Sequence, residues 1–184
     1  FTNKRGYHAG HALWQSRRHP DAPQNVRTSA ITQPPMLAEA VAVVANKLDA
    51  GARQAWLKEM FPSIVASHLW AYTERDPKQE GLAVLIHSWE SGMDNTPAWI
   101  AVNHRYRPKV VIDAERSPEL MRKLEASRKD TRIVPADERI TTSELYTAYA
   151  IQTALRARNY DIGKILASPN TIPALQDVAF NAIL

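Results

Sequence analysis

The sequence predicts an all-α fold, and three observations support this prediction. Apolar residues recur at helical spacing in several stretches, and residues that favour helix starts precede some of them. Runs typical of strands are limited to two short segments, 82–86 and 109–112. The 184 residues, of which 45% are hydrophobic, can build a sizeable core.

The first helix is expected after Pro34 and Pro35, because the fixed backbone torsion of proline suits the first helical turn. Residues 1–35 before it lack a period and are typical of loops. One helical face then carries five apolar residues: Leu37, Ala40, Val41, Val44 and Leu48. We expect this helix to end at residues 49–51.

Two further helices are predicted before the centre of the chain. The first covers about 52–60, and the second begins near Pro62 and ends at the polar stretch 76–81. The apolar run 82–86 follows.

The C-terminal half contains three more predicted helices. Ser117 before Pro118 indicates a helix that ends near Ser127. Thr141 and Glu144 have the spacing of a capping box, so a long helix should follow to about Arg158. A final helix is expected from near 174, after a proline-containing loop. Long loops between helices differ from the short connections of a simple bundle.

Composition excludes several classes of protein. The 23 basic and 19 acidic residues give a net charge of +4, and the basic residues form no stripe with interleaved aromatics, so no nucleic-acid partner is expected. Without cysteine, a disulfide scaffold and a cysteine metal site are excluded. No apolar run approaches the length of a membrane span. His8 and His11 are three residues apart but lack a third ligand nearby, so we predict no metal site.

The segment 87–99 is the densest in chemically useful side chains. Trp89 has an indole face that can cover the C–H face of a sugar. A carboxyl group such as that of Glu90 or Asp94 keeps its proton near neutral pH when it lies in an apolar pocket. Gly92 permits close approach of a ligand or of backbone. From these residues alone the segment is either a sugar site or a tryptophan-rich turn that packs a core.

The string Trp-Glu-Ser-Gly-Met-Asp-Asn at 89–95 resembles the signature of glycoside hydrolase family 63, which includes mannosylglycerate and glucosylglycerate hydrolases. Segments 29–35, 75–76 and 176–184 resemble other family segments in the same order along the chain. The resemblance implies an (α/α)₆ toroid of twelve helices in two layers with long active-site loops. The helical patterns found here account for about half of that toroid.

The resemblance also implies an inverting α-glycosidase that acts on a small α-glucoside or α-mannoside, such as a sugar linked to glycerate. One carboxylic acid then protonates the leaving oxygen, while a second carboxylate activates water on the opposite face of the sugar. Asp94 matches the general acid. The general base, a glutamate, is expected after Leu184. This mechanism requires no metal and no organic cofactor.

Four further residues match substrate-binding positions. Trp89 and Gly92 would line the subsite for the cleaved sugar, and Gln33 matches a residue that hydrogen-bonds sugar hydroxyls. For Gln33 a structural role at a helix entry competes with this role. Glu90 is either a sugar-binding or a structural carboxylate, and we do not assign it as the base.

Other singled-out residues have structural alternatives. Arg128 and Arg139 are candidates for binding a substrate carboxylate, although solvated surface charge explains each of them as well. His87 is a candidate for supporting the acid, and His68 is interpreted as a core histidine. Trp99 suits either a sugar site or a core. The remaining tryptophans are expected in the core: Trp14, Trp56 and Trp70.

We interpret residues 1–184 as part of a single (α/α)₆ catalytic domain that is cut at both ends, because the sequence starts at Phe1 rather than at Met and its final residues continue an apolar helical pattern. The expected partner is a small carbohydrate, and homo-oligomerisation is possible through exposed inner helices. The alternatives are a non-catalytic sugar-binding remnant, or a fragment that lacks the catalytic base. A helical protein-interaction module ranks last because it leaves the signature unexplained.

Overall fold

A computed structural model describes residues 31–184, and this part of the chain is helical. Its helices are α1 Leu37–Ala45, α2 Ala50–Glu74, α3 Pro97–Arg105, α4 Lys109–Glu115, α5 Pro118–Ala126, α6 Thr142–Ala157, α7 Ile162–Leu166 and α8 Val178–Ile183. Short 3-10 helices cover Ser88–Glu90, Asp130–Arg132 and Ala136–Glu138. Within residues 31–184 no strand forms, and Leu85 pairs with Leu175 in an isolated antiparallel bridge. None of the helices described is long and apolar enough to span a bilayer.

The two helices predicted on either side of Pro62 are one continuous helix, α2, so that prediction was wrong. Pro62 removes one helical hydrogen bond. Proline has no N–H for the carbonyl of Lys58, four residues earlier in the helix. Because Pro62 is exposed, water can hydrate that carbonyl instead. Asp49, expected at the end of the preceding helix, instead begins α2, because its carboxylate accepts the amide of Ala52 at 3.0 Å.

Neither of the two predicted strands forms: residues 82–86 contribute only the isolated bridge at Leu85, and residues 109–112 form the first turn of α4. Val111 and Ala114 are buried three residues apart, as one helical face requires. Lys109 and Asp113 form an ion pair one helical turn apart, with Nζ and Oδ2 separated by 2.5 Å. Helices α3 and α7 were not predicted, and α8 begins at Val178 rather than near 174.

The helix starts predicted at Ser117 and Thr141 are confirmed. The Ser117 hydroxyl accepts the Leu120 amide at 3.4 Å and so caps α5. At α6 both halves of the capping box form: the Glu144 amide donates to Thr141 Oγ1 at 3.2 Å, and the Thr141 amide donates to Glu144 Oε2 at 2.9 Å.

The extended segment 83–86, here called the strap, lies between two hydrophobic clusters. Val84 and Ile86 belong to one cluster, whereas Ala83 and Leu85 belong to the other. Alternate residues of an extended chain point to opposite sides, so four residues serve two cores. The other members of the first cluster are Ile31, Ile151, Leu155, Ile165 and Ile172, and those of the second are Ala71, Trp99 and Phe180.

Trp99 is the largest fully buried side chain described, which resolves its role in favour of the core. Its indole N–H donates to Asp177 Oδ2 at 3.1 Å. The other carboxylate oxygen of Asp177 accepts the Phe180 amide at 2.9 Å and so caps α8. One carboxylate thus anchors the C-terminal helix to the core.

Three other aromatic side chains differ from the core placement predicted for them. Trp70 is 39% exposed, and Trp56 is half-buried with its indole N–H bonded to the Val41 carbonyl. His68 is half-buried, and its Nδ1 lies 2.9 Å from the Ile64 carbonyl oxygen. Trp14 lies outside the residues described.

Asp177→Ala should destabilise the protein by about 2–4 kcal/mol, because it removes a helix cap, worth about 1 kcal/mol, and leaves the buried indole N–H of Trp99 without an acceptor, which costs about 1–3 kcal/mol. Asp161→Ala is the matched control, since Asp161 also caps a short helix but is exposed. Urea unfolding of the full-length protein measures both. Equal losses for the two variants would contradict the role given to Trp99.

Candidate active site

The signature segment forms a tight turn between the strap and α3. It begins with the 3-10 helix Ser88–Glu90. The Ser91 hydroxyl donates to the Ser88 carbonyl at 2.8 Å and accepts the Met93 amide at 3.0 Å. Gly92 has a φ of +69°, the left-handed region that favours glycine. Local hydrogen bonds and one glycine therefore fix the path of this turn.

Glu90 is fully buried and forms a two-point ion pair with Arg75. Arg75 Nη2 lies 2.7 Å from Glu90 Oε1, and Arg75 Nη1 lies 3.0 Å from Oε2. Each carboxylate oxygen also accepts a backbone amide: Oε1 that of Thr32 at 3.0 Å, and Oε2 that of Ile86 at 2.8 Å. Four donors thus compensate the buried charge.

These bonds join four parts of the chain at one carboxylate. Arg75 follows the last residue of α2, Thr32 precedes α1, and Ile86 ends the strap. A sugar hydroxyl would have to displace one of the four donors to reach Glu90. The geometry therefore favours the structural of the two roles considered for this residue.

Asp94 lies in a different environment. Its side chain is half-buried just beyond Gly92 and before α3. Burial raises the pKa of the Asp94 carboxyl above its ordinary value, and a hydrogen bond to its own backbone opposes this shift only in part. A raised pKa is the direction that a general acid needs at neutral pH.

The substrate-binding candidates Gln33, Trp89 and Gly92 lie together. The Gln33 amide group donates to the Trp89 carbonyl at 3.1 Å. A Cβ atom at Gly92 would lie only 2.7 Å from Cγ of Pro34, so the turn and the segment before α1 are in close contact. The structure therefore brings the beginning of the described chain onto the signature turn.

Sequence reasoning did not assign Tyr149 to this site. Its ring meets the Trp89 ring edge-on, with the centroids 6.2 Å apart, and the Tyr146 ring in the same way at 6.0 Å. Burial raises the pKa of Tyr149 to about 12, so its hydroxyl stays protonated. The spacing of the two tyrosines on one side of α6 was the available signal.

Arg128 is neither a free ligand for a carboxylate nor a solvated surface charge. Its guanidinium forms a two-point pair with Asp130, through Nε to Oδ1 at 2.9 Å and Nη2 to Oδ2 at 2.5 Å. Nη1 also donates to the Ile140 carbonyl and to Thr142 Oγ1. Arg128 therefore holds the loop between α5 and α6. Arg139 donates to the Val134 carbonyl within the same loop.

Across residues 31–184 no group of three potential metal ligands occurs. His8 and His11, considered above for a metal, lie outside this range.

Comparison with known proteins identifies the family to which this helical fold and its signature turn belong. Residues 2–184 match the family described as the mannosylglycerate hydrolase MGH1-like glycoside hydrolase domain. The chain therefore belongs to this family of glycoside hydrolases.

Two curated relatives illustrate the similarity. The chain is 35% identical over 175 residues to a mannosylglycerate hydrolase of Rubrobacter radiotolerans, a match that covers 94% of this chain and 37% of the relative. It is 38% identical over 101 residues to a glucosylglycerate hydrolase of Mycolicibacterium hassiacum, covering 51% of this chain and 23% of that protein. The chain thus spans well under half the length of these relatives.

A solved structure of a related hydrolase has a similar fold. The GH63 mannosylglycerate hydrolase from Thermus thermophilus, in complex with Tris and D-glycerate, superposes with a TM-score of 0.70 at 31% sequence identity. The match covers all of this chain and 39% of that one. The predicted partial toroid of the GH63 type is therefore confirmed.

Gly92→Ala should lose more stability than Gly81→Ala. Both glycines have a positive φ, which costs another residue about 1–2 kcal/mol. Only at Gly92 does the new methyl group overlap the Pro34 ring, which adds about 1–3 kcal/mol, whereas no atom lies within 4 Å at Gly81. Urea unfolding of the full-length protein gives both values. Similar losses at the two positions would show that the Pro34 contact does not constrain the turn.

Arg75→Met and Glu90→Gln should each destabilise by about 3–5 kcal/mol, because each leaves a buried group without its charged partner. The double variant should lose clearly less than the sum of the two. Asp113→Asn, which breaks the exposed pair with Lys109, is the control and should cost about 0–1 kcal/mol. Additive losses at positions 75 and 90 would contradict the pairing.

Proposed function

We propose that the full-length protein is an inverting α-glycosidase that hydrolyses a small α-glucoside or α-mannoside of glycerate, and that Asp94 is its general acid. The observation that carries this proposal is the contrast between two carboxylates four residues apart. Four donors bond to the two carboxylate oxygens of Glu90, whereas Asp94 is half-buried with a raised pKa. Of the two, Asp94 is the one suited to hold a proton and deliver it.

In the proposed reaction, Asp94 donates its proton to the glycosidic oxygen as the C–O bond breaks. A carboxylate from outside residues 1–184 takes a proton from water, which attacks the anomeric carbon from the opposite face. In inverting enzymes the two carboxyl groups are ~6.5–9.5 Å apart, which leaves room for this water. An α-glycoside then releases a β-sugar.

Trp89 supplies the apolar surface for the sugar in this proposal. Its indole face packs against sugar C–H groups, while the rings of His87 and Tyr149 contact it edge-on. We assign the carboxamide oxygen of Gln33 to a sugar hydroxyl, since the amide nitrogen donates to the Trp89 carbonyl. The absence of a side chain at Gly92 keeps the turn close to Pro34.

The proposal that the substrate contains glycerate is based on the names of the relatives. The R. radiotolerans protein is named a mannosylglycerate hydrolase and the M. hassiacum protein a glucosylglycerate hydrolase. Both names combine a hexose with glycerate, which supports a substrate of this class. The choice between glucose and mannose is an outcome of the experiment below.

Asp94→Asn in the full-length protein should lower kcat/KM by a factor of about 10²–10⁴, the contribution typical of general acid catalysis. Proton NMR during hydrolysis of glucosylglycerate and mannosylglycerate measures the rate and identifies the anomer released. Asp137→Asn, on an exposed 3-10 helix, is the control and should keep wild-type activity. Full activity of Asp94→Asn, or initial release of the α-sugar, would refute the proposal. Binding of sugars by the wild type without turnover would favour the sugar-binding remnant.

The stability of Asp94→Asn distinguishes a loss of catalysis from misfolding. Because the folded-state pKa of Asp94 is raised, the folded protein binds this proton more tightly than the unfolded chain does. Ionised Asp94 therefore disfavours folding at neutral pH, and this penalty disappears as pH falls through the folded pKa towards the ordinary value. Asp94→Asn should consequently be at least as stable as the wild type at pH 7.

A further inference from the structure

His87 is a fully buried side chain at the junction of the strap and the signature turn. Its Nε2 lies 3.1 Å from the carbonyl oxygen of Ala148 on α6, and its Nδ1 lies 3.2 Å from the amide nitrogen of Trp89. The carbonyl can only accept and the amide can only donate. Both bonds form together only when Nε2 carries the proton and Nδ1 carries none, so the surroundings select one neutral tautomer.

The charges around His87 are compatible with this neutral form. Burial lowers the pKa of His87, while the Ala148 carbonyl and the Glu90 carboxylate act in the opposite direction and more weakly. Arg75 already compensates the charge of Glu90 through two short bonds. The imidazole therefore remains uncharged near neutral pH.

His87 contacts Trp89 through its ring as well as through the backbone. The two ring centroids are 4.9 Å apart and the planes meet at 60°. Tyr149, one residue beyond Ala148, contacts Trp89 edge-on with an interplanar angle of 90°. Ala148 and Tyr149, which are consecutive residues of α6, thus both contact the group that holds the Trp89 indole or the indole itself. Ala148 bonds to His87, and Tyr149 contacts the indole directly.

We propose that His87 is a positioning residue that fixes Trp89 against α6 and so holds the indole ready for the sugar, an inference that rests on the proposed role of Trp89. His87 itself does not reach the substrate, because its side chain is fully buried and both ring nitrogens are bonded within the protein. The bond to the Trp89 amide is the one that sets the indole. The bond to Ala148 holds the imidazole in place.

Two substitutions separate the two bonds. In His87→Asn, Oδ1 takes the place of Nδ1 and accepts the Trp89 amide, but the donor to Ala148 is lost. In His87→Gln, Nε2 takes the place of the ring Nε2 and donates to Ala148, but the acceptor for Trp89 is lost. Each variant gives up one hydrogen bond, so the pair is matched for general destabilisation.

The first measurement is hydrogen–deuterium exchange of the Trp89 amide in the full-length protein, read at single-residue resolution by mass spectrometry with electron-transfer fragmentation. His87→Gln should exchange this amide at least ~10-fold faster than the wild type, and His87→Asn should stay close to it, because only a bonded amide is protected. Equal exchange in the two variants would overturn the proposal. This readout needs no substrate.

The second measurement is the KM for the glycoside in a double-mutant cycle with Trp89→Ala. His87→Gln should raise KM by about 10-fold in the wild-type background and leave it unchanged when Trp89 is already absent, since it acts through that side chain. His87→Asn should restore KM to within a few-fold of wild type. Independent, additive effects of the two positions would overturn the proposal. No hydrolysis by the wild type would refute the proposed function alone, and the amide exchange would still decide the position of Trp89.

Discussion

The buried ion pair between Arg75 and Glu90 is the interaction on which the other features of this site depend. A carboxylate without solvent is costly unless it is fully paired, and here two guanidinium bonds and two backbone amides pair it. The four donors come from the end of α2, the segment before α1 and the strap. Their convergence on one residue of the signature turn places that turn relative to both hydrophobic clusters, because the strap contributes side chains to each.

With this pair in place, the turn holds two carboxyl groups in different environments. Glu90 is bonded to two guanidinium nitrogens and two backbone amides, whereas burial raises the pKa of the Asp94 carboxyl. Only four positions in the sequence separate the carboxylate that pairs with Arg75 from the half-buried carboxyl that we propose as the general acid. The same turn holds Trp89 beside these groups, where His87 and Tyr149 contact its ring. The Arg75–Glu90 pair thus fixes the turn that carries Trp89 and Asp94, the residues that we propose act on the substrate.

The sequence predicted structural features that neighbouring residues determine. It did not predict features that depend on contacts between residues far apart along the chain. The caps of α5 and α6 are local signals, and both are confirmed. Continuation of α2 through Pro62 and the helical state of 109–112 depend on solvation and packing, which local propensity does not contain. At the site, the resemblance indicated Trp89, Gly92 and Asp94 as a group. The contact between His87 and Ala148 spans 61 residues and that between Glu90 and Thr32 spans 58, so no local spacing could reveal them.

The central claim is that Asp94 acts on the substrate while Glu90 holds the turn. The most direct measurement is a crystal structure of the full-length Asp94→Asn variant with an unhydrolysed glycoside of glycerate. The account predicts that the side chain at position 94 lies within hydrogen-bond distance of the glycosidic oxygen, ~3 Å, that the sugar packs on Trp89, and that Glu90 keeps both bonds to Arg75. A sugar bound to Glu90 in place of Arg75, with position 94 turned away from the glycosidic oxygen, would contradict it.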